Sequence, residues 1–104
     1  MSRSRKQQKS LIKEMAAQRI RRLFELAEAE FETHPERSSR YAALARRMGM
    51  RHRVRLPRDL RQKVCRSCDS YLVPGSTSRV RLQKNNVCIT CLKCGRIMRY
   101  PYKR

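Results

Sequence analysis

The chain has no tryptophan, only two phenylalanines, four tyrosines, three glycines and eight acidic residues in 104 positions. With 39% hydrophobic residues, it cannot build a large core. A chain of this size buries about two-thirds of its unfolded surface and usually needs a staple or a partner. No run of 18 apolar residues occurs, which argues against a helical membrane span. The first ten residues are polar and no apolar stretch behind them resembles a signal sequence, so a cytoplasmic protein is expected. The shortage of acids has the largest consequence. Against them stand 27 Lys plus Arg, for a formal charge of +19. Such self-repulsion disfavours a compact state unless a polyanion answers it, and nucleic acid is the expected partner.

The charge is unevenly placed. Residues 1–13 carry +5, residues 14–36 carry −3, and residues 37–104 carry +17. The acidic segment is either one face of a helix set aside for a protein neighbour or a solvated surface supported by Arg spacing.

Residues 10–33 hold good helix formers without Gly or Pro, which predicts a long helix. Ile12, Met15, Ala16, Ile20, Leu23, Ala27 and Phe31 follow three- and four-residue steps, with Phe24 and Leu26 widening the stripe. Thr33 and Glu36 have capping-box spacing, and Pro35 suits a first helical turn. A second helix, antiparallel to the first, is expected with a Tyr41, Leu44, Ala45, Met48 stripe and Gly49 as its end or weak point. Residues 51–66 then hold seven basic side chains and His52. If extended, this stretch aims Arg51, Arg53 and Arg55 the same way, with Val54 and Leu56 as anchors and Pro57 starting a turn that carries Arg58 and Arg61. A solvated cationic linker is the plainer reading. After Cys68 come short β-like runs at 71–73, 79–82, 87–90 and 97–100, the middle pair forming a hairpin.

Cys65-x2-Cys68 and Cys91-x2-Cys94 are separated by 22 residues, the spacing of a zinc site. A two-residue gap lets both thiolates of one tight turn face one ion, and Gly95 fits a turn that needs positive φ. Four thiolates close the coordination shell, so one structural Zn2+ is expected, with an apparent binding energy of about 10 to 16 kcal/mol supporting this half. Disulfides, an iron-sulfur cluster or rubredoxin-like iron are the other occupants of such a set. Cys88, between Val87 and Ile89, overlaps the second motif and is assigned to packing. No catalytic residue is expected. The basic half offers only Asp59 and Asp69, and neither His34 nor His52 stands near a nucleophile. Arg51, Arg53, Arg55, Arg58, Arg79, Arg81, Arg96, Arg99 and Lys103 are the candidate phosphate contacts, which position a nucleic acid without reading its sequence. Tyr100 and Tyr102 either stack on unpaired bases or pack over the ribbon.

The order of these features resembles a known family. Two helices and an Arg-rich connector lead into Cys65-Arg-Ser-Cys68, Leu72-Val-Pro-Gly75, Arg79-Val-Arg81, Ile89-Thr-Cys-Leu-Lys-Cys-Gly95 and Met98-Arg-Tyr-Pro-Tyr102. Over about residues 10–103 this is similar to the archaeal ribonuclease P protein component 4 family, zinc-ribbon subunits related to a eukaryotic nuclear ribonuclease P protein. The resemblance implies a small α+β, L-shaped protein. Its parts are a basic flexible tail (1–9), a helical hairpin that binds the partner (10–50), an Arg-rich connector (51–64) and a zinc ribbon (65–104). It further implies that Cys65, Cys68, Cys91 and Cys94 hold the metal. A small β-barrel subunit of ribonuclease P is expected on a surface drawn from Ile12, Ile20, Leu23, Phe24 and Tyr41. The basic face is expected on ribonuclease P RNA, which removes the 5′ leader of precursor tRNA, so precursor tRNA is met indirectly. The chain is then an accessory subunit, not catalytic alone. A zinc-ribbon nucleic-acid-binding protein of the ribosome or transcription apparatus is the competing expectation.

Overall fold

The computed structural model describes residues 4–101. Helices α1 (Arg5–Glu30) and α2 (Pro35–Arg51) precede a single turn, α3 (Arg58–Arg61). Strands β1 (Ser78–Gln83), β2 (Asn86–Cys91) and β3 (Ile97–Pro101) form an antiparallel sheet in that order. The α+β class expected from the sequence is observed. The radius of gyration is 15.5 Å, against about 13 Å for a compact domain of 100 residues, so the helical and β halves lie side by side rather than in one ball.

Helix α1 begins at Arg5, ahead of the expected residue 10. The cause is a capping box: the Gln7 amide donates to Ser4 Oγ, and the Ser4 amide donates to Gln7 Oε1. Residues 5–9 are therefore helical. The expected box at Thr33 and Glu36 does not form. Thr33 Oγ1 donates to the Glu30 carbonyl, His34 is the N-cap without a side-chain bond, and Glu36 pairs with His34 Nδ1 at 3.4 Å. Pro35 opens α2 as expected.

The two helices run antiparallel. The Ser38 hydroxyl donates to the Ala27 carbonyl, while Ile20 lies against Gly49. Ala27, Ala42 and Ala45 are fully buried and let the backbones approach; Ile20 and Phe24 fill the space beside them. This register runs out near Ala16, which leaves Ile12 and Met15 half exposed. Gly49 is not the end of α2 but a point of contact. A Cβ there would sit 2.9 Å from the Val54 carbonyl oxygen, because the chain turns back on itself. The turn is a Schellman closure, with the Val54 amide donating to the Gly49 carbonyl and the Arg53 amide to the Met50 carbonyl. Arg53 takes the left-handed position, φ 55°.

Two buried clusters result. Ile20, Phe24, Ala27, Ala42, Ala45, Leu60, Val64 and Tyr71 form one, against which Val54 and Leu56 pack. Cys65, Leu72, Ile89, Cys91, Met98 and Tyr100 form the other. Val64–Cys65 and Tyr71–Leu72 are the junctions, where adjacent residues enter different clusters. The expected strand at 71–73 is a loop instead: Tyr71 makes one bridge to Val64, and Thr77 Oγ1 accepts from the Val73 amide and donates to the Tyr71 carbonyl. The hairpin of β1 and β2 closes through Lys84 and Asn85, with Lys84 at φ 53°.

Candidate metal centre and nucleic-acid interface

The two cysteine pairs occupy turns of the same construction. In the first, the Asp69 amide donates to the Cys65 carbonyl (3.1 Å) and the Cys65 amide to the Ser70 carbonyl (3.0 Å). In the second, the Gly95 amide donates to the Cys91 carbonyl (2.8 Å) and the Cys91 amide to the Arg96 carbonyl (2.9 Å). The residue after each second cysteine is left-handed: Asp69 at φ 60° and Gly95 at φ 83°. Asp tolerates this conformation better than most side chains. Here its carboxylate also accepts from Arg46 Nη1 at 2.7 Å, which ties the first turn to α2.

The four sulfurs lie within 4.8 Å of one another, with Cys65 to Cys94 and Cys68 to Cys91 both at 3.6 Å. Sulfurs about 2.3 Å from a tetrahedral zinc stand about 3.8 Å apart, whereas a disulfide needs about 2.05 Å. All five cysteines are free thiols, and the spacing is that of a metal site. Cys88 stays out of the cluster; it is buried, with its thiol 3.5 Å from Gln83 Oε1. Burial pushes the Cys65 thiol up to about 12 and also raises Cys91. At Cys68 burial acts in the same sense but is outweighed by hydrogen bonds, chiefly from the Ser70 side chain and backbone, which bring it to about 6. The lowered Cys68 favours the thiolate that a metal ligand requires, and a metal bound there would displace the protons of its neighbours.

Opposite faces of the sheet have opposite characters. Ile89, Cys91, Met98 and Tyr100 point into the ribbon core. On the other face Arg81, Cys88 and Arg99 are cross-strand neighbours, and Arg79 follows two residues before Arg81. Arg79, Arg81 and Arg99 are exposed there, as is Arg96 beside the second cysteine turn. Arg53 and Arg55 are exposed and alternate with the half-buried Val54 and Leu56, but Arg53 is left-handed rather than extended, so the expected extended run does not begin until Val54. Arg51 belongs to the last turn of α2, so it does not continue that alternation; Arg58 opens α3. Lys103 and Tyr102 lie outside the described residues. Tyr100 is buried (3% exposed) under Arg66, 5.1 Å from its ring centre, so of its two readings packing is the one observed.

Sequence reasoning missed one grouping. Arg46, Arg61 and Arg66 join Arg53 and Arg55 around a concavity of about 520 Å3 floored by Gly49, Met50, Val54, Leu56 and Val64. The five come from α2, the connector, α3 and the first cysteine turn, so no spacing rule links them.

The expected partner surface is corrected in part. Ile20 and Phe24 are 1% and 3% exposed inside the helical core, and cannot meet a second protein. Ile12 is half exposed, Leu23 and Tyr41 are partly buried, and Met15, Leu44 and Met48 extend the same apolar strip along the helix pair.

Residues 19–95 match the family described as RNAse P Rpr2/Rpp21/SNM1 subunit domain. The chain belongs to this family. Ribonuclease P protein component 4 of Methanococcoides burtonii is 59% identical over 98% of this chain and 94% of its own length. The Thermococcus kodakarensis protein of the same name is 44% identical over 88% of this chain and 72% of its own. Among solved structures, a chain in a cryo-EM structure of archaeal ribonuclease P with mature tRNA superposes with a TM-score of 0.76 at 40% identity. It covers 84% of this chain and 76% of that one. A structure of Pfu Rpp21 is similar at TM-score 0.57 and 42% identity, covering 84% and 99%. The Rpr2/Rpp21/SNM1 assignment makes this chain a ribonuclease P protein subunit and accounts for the conjunction of helix pair, basic connector and four-cysteine ribbon.

Proposed function

We propose that the chain folds its C-terminal half around one structural Zn2+, held by Cys65, Cys68, Cys91 and Cys94, and uses the surface so fixed to bind ribonuclease P RNA. Bound there, zinc supplies cross-linking of the two turns and no chemistry of its own, because four thiolates fill its shell. The observation that carries the reading is the pattern of unanswered arginines on this scaffold. Among the described residues, ion pairs to carboxylates involve Arg21, Arg22, Arg37 and Arg46, and none of the candidate RNA contacts.

Arg51, Arg53, Arg55, Arg58, Arg79, Arg81, Arg96, Arg99 and Lys103 are the phosphate contacts in this reading. They neutralise closely packed strands and so favour the folded RNA that removes the 5′ leader from precursor tRNA. The two acids of the basic half are engaged by arginines, Asp59 by Arg21 and Asp69 by Arg46, which fits a structural subunit of an RNA-based enzyme. The hairpin carries the protein partner, a small β-barrel subunit, on the strip of Ile12, Leu23, Tyr41 and Leu44. In this reading hairpin, connector and ribbon divide the labour in the cytoplasm, with residues 5–9 belonging to α1 rather than to a tail.

The test is affinity for ribonuclease P RNA as a function of salt. The logarithm of the binding constant is expected to fall with a slope of about 0.7 to 0.9 per neutralised phosphate, and that slope to become shallower by about 1.4 to 1.8 when Arg81 and Arg99 are both replaced by alanine. A flat response contradicts the proposal.

A further inference from the structure

We infer that the concavity ringed by Arg46, Arg53, Arg55, Arg61 and Arg66 receives a single unstacked nucleobase of the bound RNA. The inference rests on the RNA-binding reading and names a subsite within it. Phosphate tracks need only exposed cations; this site also has an apolar floor of Met50, Val54, Leu56 and Val64. Its volume of about 520 Å3 falls in the range of about 300 to 1,000 Å3 typical of small-ligand sites. No carboxylate lines it, although Arg46 is held from behind by Asp69 at 2.7 Å, so Arg53, Arg55, Arg61 and Arg66 are its cations without a carboxylate partner among the described residues. A base inserted there would meet aliphatic surface below and guanidinium planes at the sides, the surroundings in which single-stranded RNA bases are held, while its own phosphates face the same guanidinium groups.

A second observation points the same way. Arg53 occupies the left-handed closing position of α2, φ 55°, where glycine is preferred and other residues are strained. The left-handed turn places the Arg53 side chain at the rim of the concavity. Met50, 59% exposed on a basic surface, is likewise explained by a base that covers it.

The experiment uses the full zinc-loaded chain and ribonuclease P RNA carrying abasic substitutions scanned through its unpaired positions. Met50→Trp places a bulky ring over the floor of the concavity at constant charge and at an exposed site, and its zinc content and circular dichroism report that the fold is kept. It is expected to weaken RNA binding about tenfold with an unchanged salt slope. One abasic position should weaken binding to the original chain by a similar factor and have no effect on the Met50→Trp chain, as required of two changes that remove one contact. Arg53→Gly is expected to raise the melting temperature while lowering RNA affinity. If the original chain binds with a steep salt slope but Met50→Trp binds equally well, the subsite is refuted and the RNA-binding reading stands. If Met50→Trp leaves RNA binding intact but abolishes binding of a polyglutamate peptide, the concavity belongs to an acidic protein segment. If the original chain shows no salt-dependent RNA binding, the reading beneath the inference falls with it.

Discussion

The helical hairpin and the ribbon solve the same problem, too few large apolar residues, in different ways. The hairpin brings small residues together: Ala27, Ala42, Ala45 and Gly49 let two backbones approach until Ile20 and Phe24 suffice to fill the gap. The ribbon cannot do this, because a three-stranded sheet has one face turned to solvent and covered with arginines. Its core of Leu72, Ile89, Met98 and Tyr100 is completed by Cys65 and Cys91. Packing of small residues holds one half, while the other adds to a small core a four-cysteine cluster whose geometry suits a metal. Under the proposed zinc site, a cross-link would contribute most in the half with the smaller core.

Metal removal should separate the two halves most sharply. Chelation or Cys91→Ser is expected to remove stabilisation of about 10 to 16 kcal/mol from the ribbon, abolishing amide protection in β1 to β3 while the helical circular dichroism signal persists. Simultaneous loss of both would show that the hairpin has no independent stability. The same site has a proton signature. Cys65 is raised to about 12 and Cys91 is also raised, so both are protonated thiols at pH 7; Cys68, near 6, is not. Zinc uptake at pH 7 should therefore release the Cys65 and Cys91 protons at least, and affinity should rise with pH. An indicator titration that finds fewer than two protons per metal would contradict the assignment.

Ile20→Ala is the converse experiment. It should cost about 2 to 5 kcal/mol, read by thermal melting of the helices, with zinc affinity unchanged. Gly49→Ala should cost about 1 to 3 kcal/mol, since the methyl group would meet the Val54 carbonyl rather than a movable side chain. Smallest is the link between the halves. Arg46 and Asp69, both about a quarter exposed, should show a coupling of about 1 kcal/mol in a double-mutant cycle. A coupling of zero would leave the Val64–Tyr71 junction, the Tyr71 amide bond to Ser39 Oγ and the Tyr100 hydroxyl bond to the Arg61 carbonyl as the links between the halves.

The metal centre was legible because ligand spacing is local: two residues between cysteines fix a turn whatever surrounds it. The sheet followed from the same locality, with its hairpin closing at Lys84 and Asn85. Misreadings arose where a residue's role depends on a distant neighbour. Gly49 reads as a helix end until Val54 is seen to return against it. Ile20 and Phe24 lie on the same sequence stripe as Ile12, and only the register of α2 decides which of them are covered. Thr33 and Glu36 have capping spacing, but the Glu30 carbonyl and His34 take their side chains. The arginine-ringed concavity had no sequence signal, because its five cations come from four separate elements.

The central claim is that a metal-organised ribbon presents this subunit's basic surface to the catalytic RNA. Its most direct measurement is precursor-tRNA cleavage by reconstituted ribonuclease P at limiting magnesium, with the chain present, omitted or replaced by Cys91→Ser. Activity is expected to fall on omission, to return with the original chain, and not to return with Cys91→Ser. Cleavage that is indifferent to the chain, or fully restored by the variant, would contradict the account.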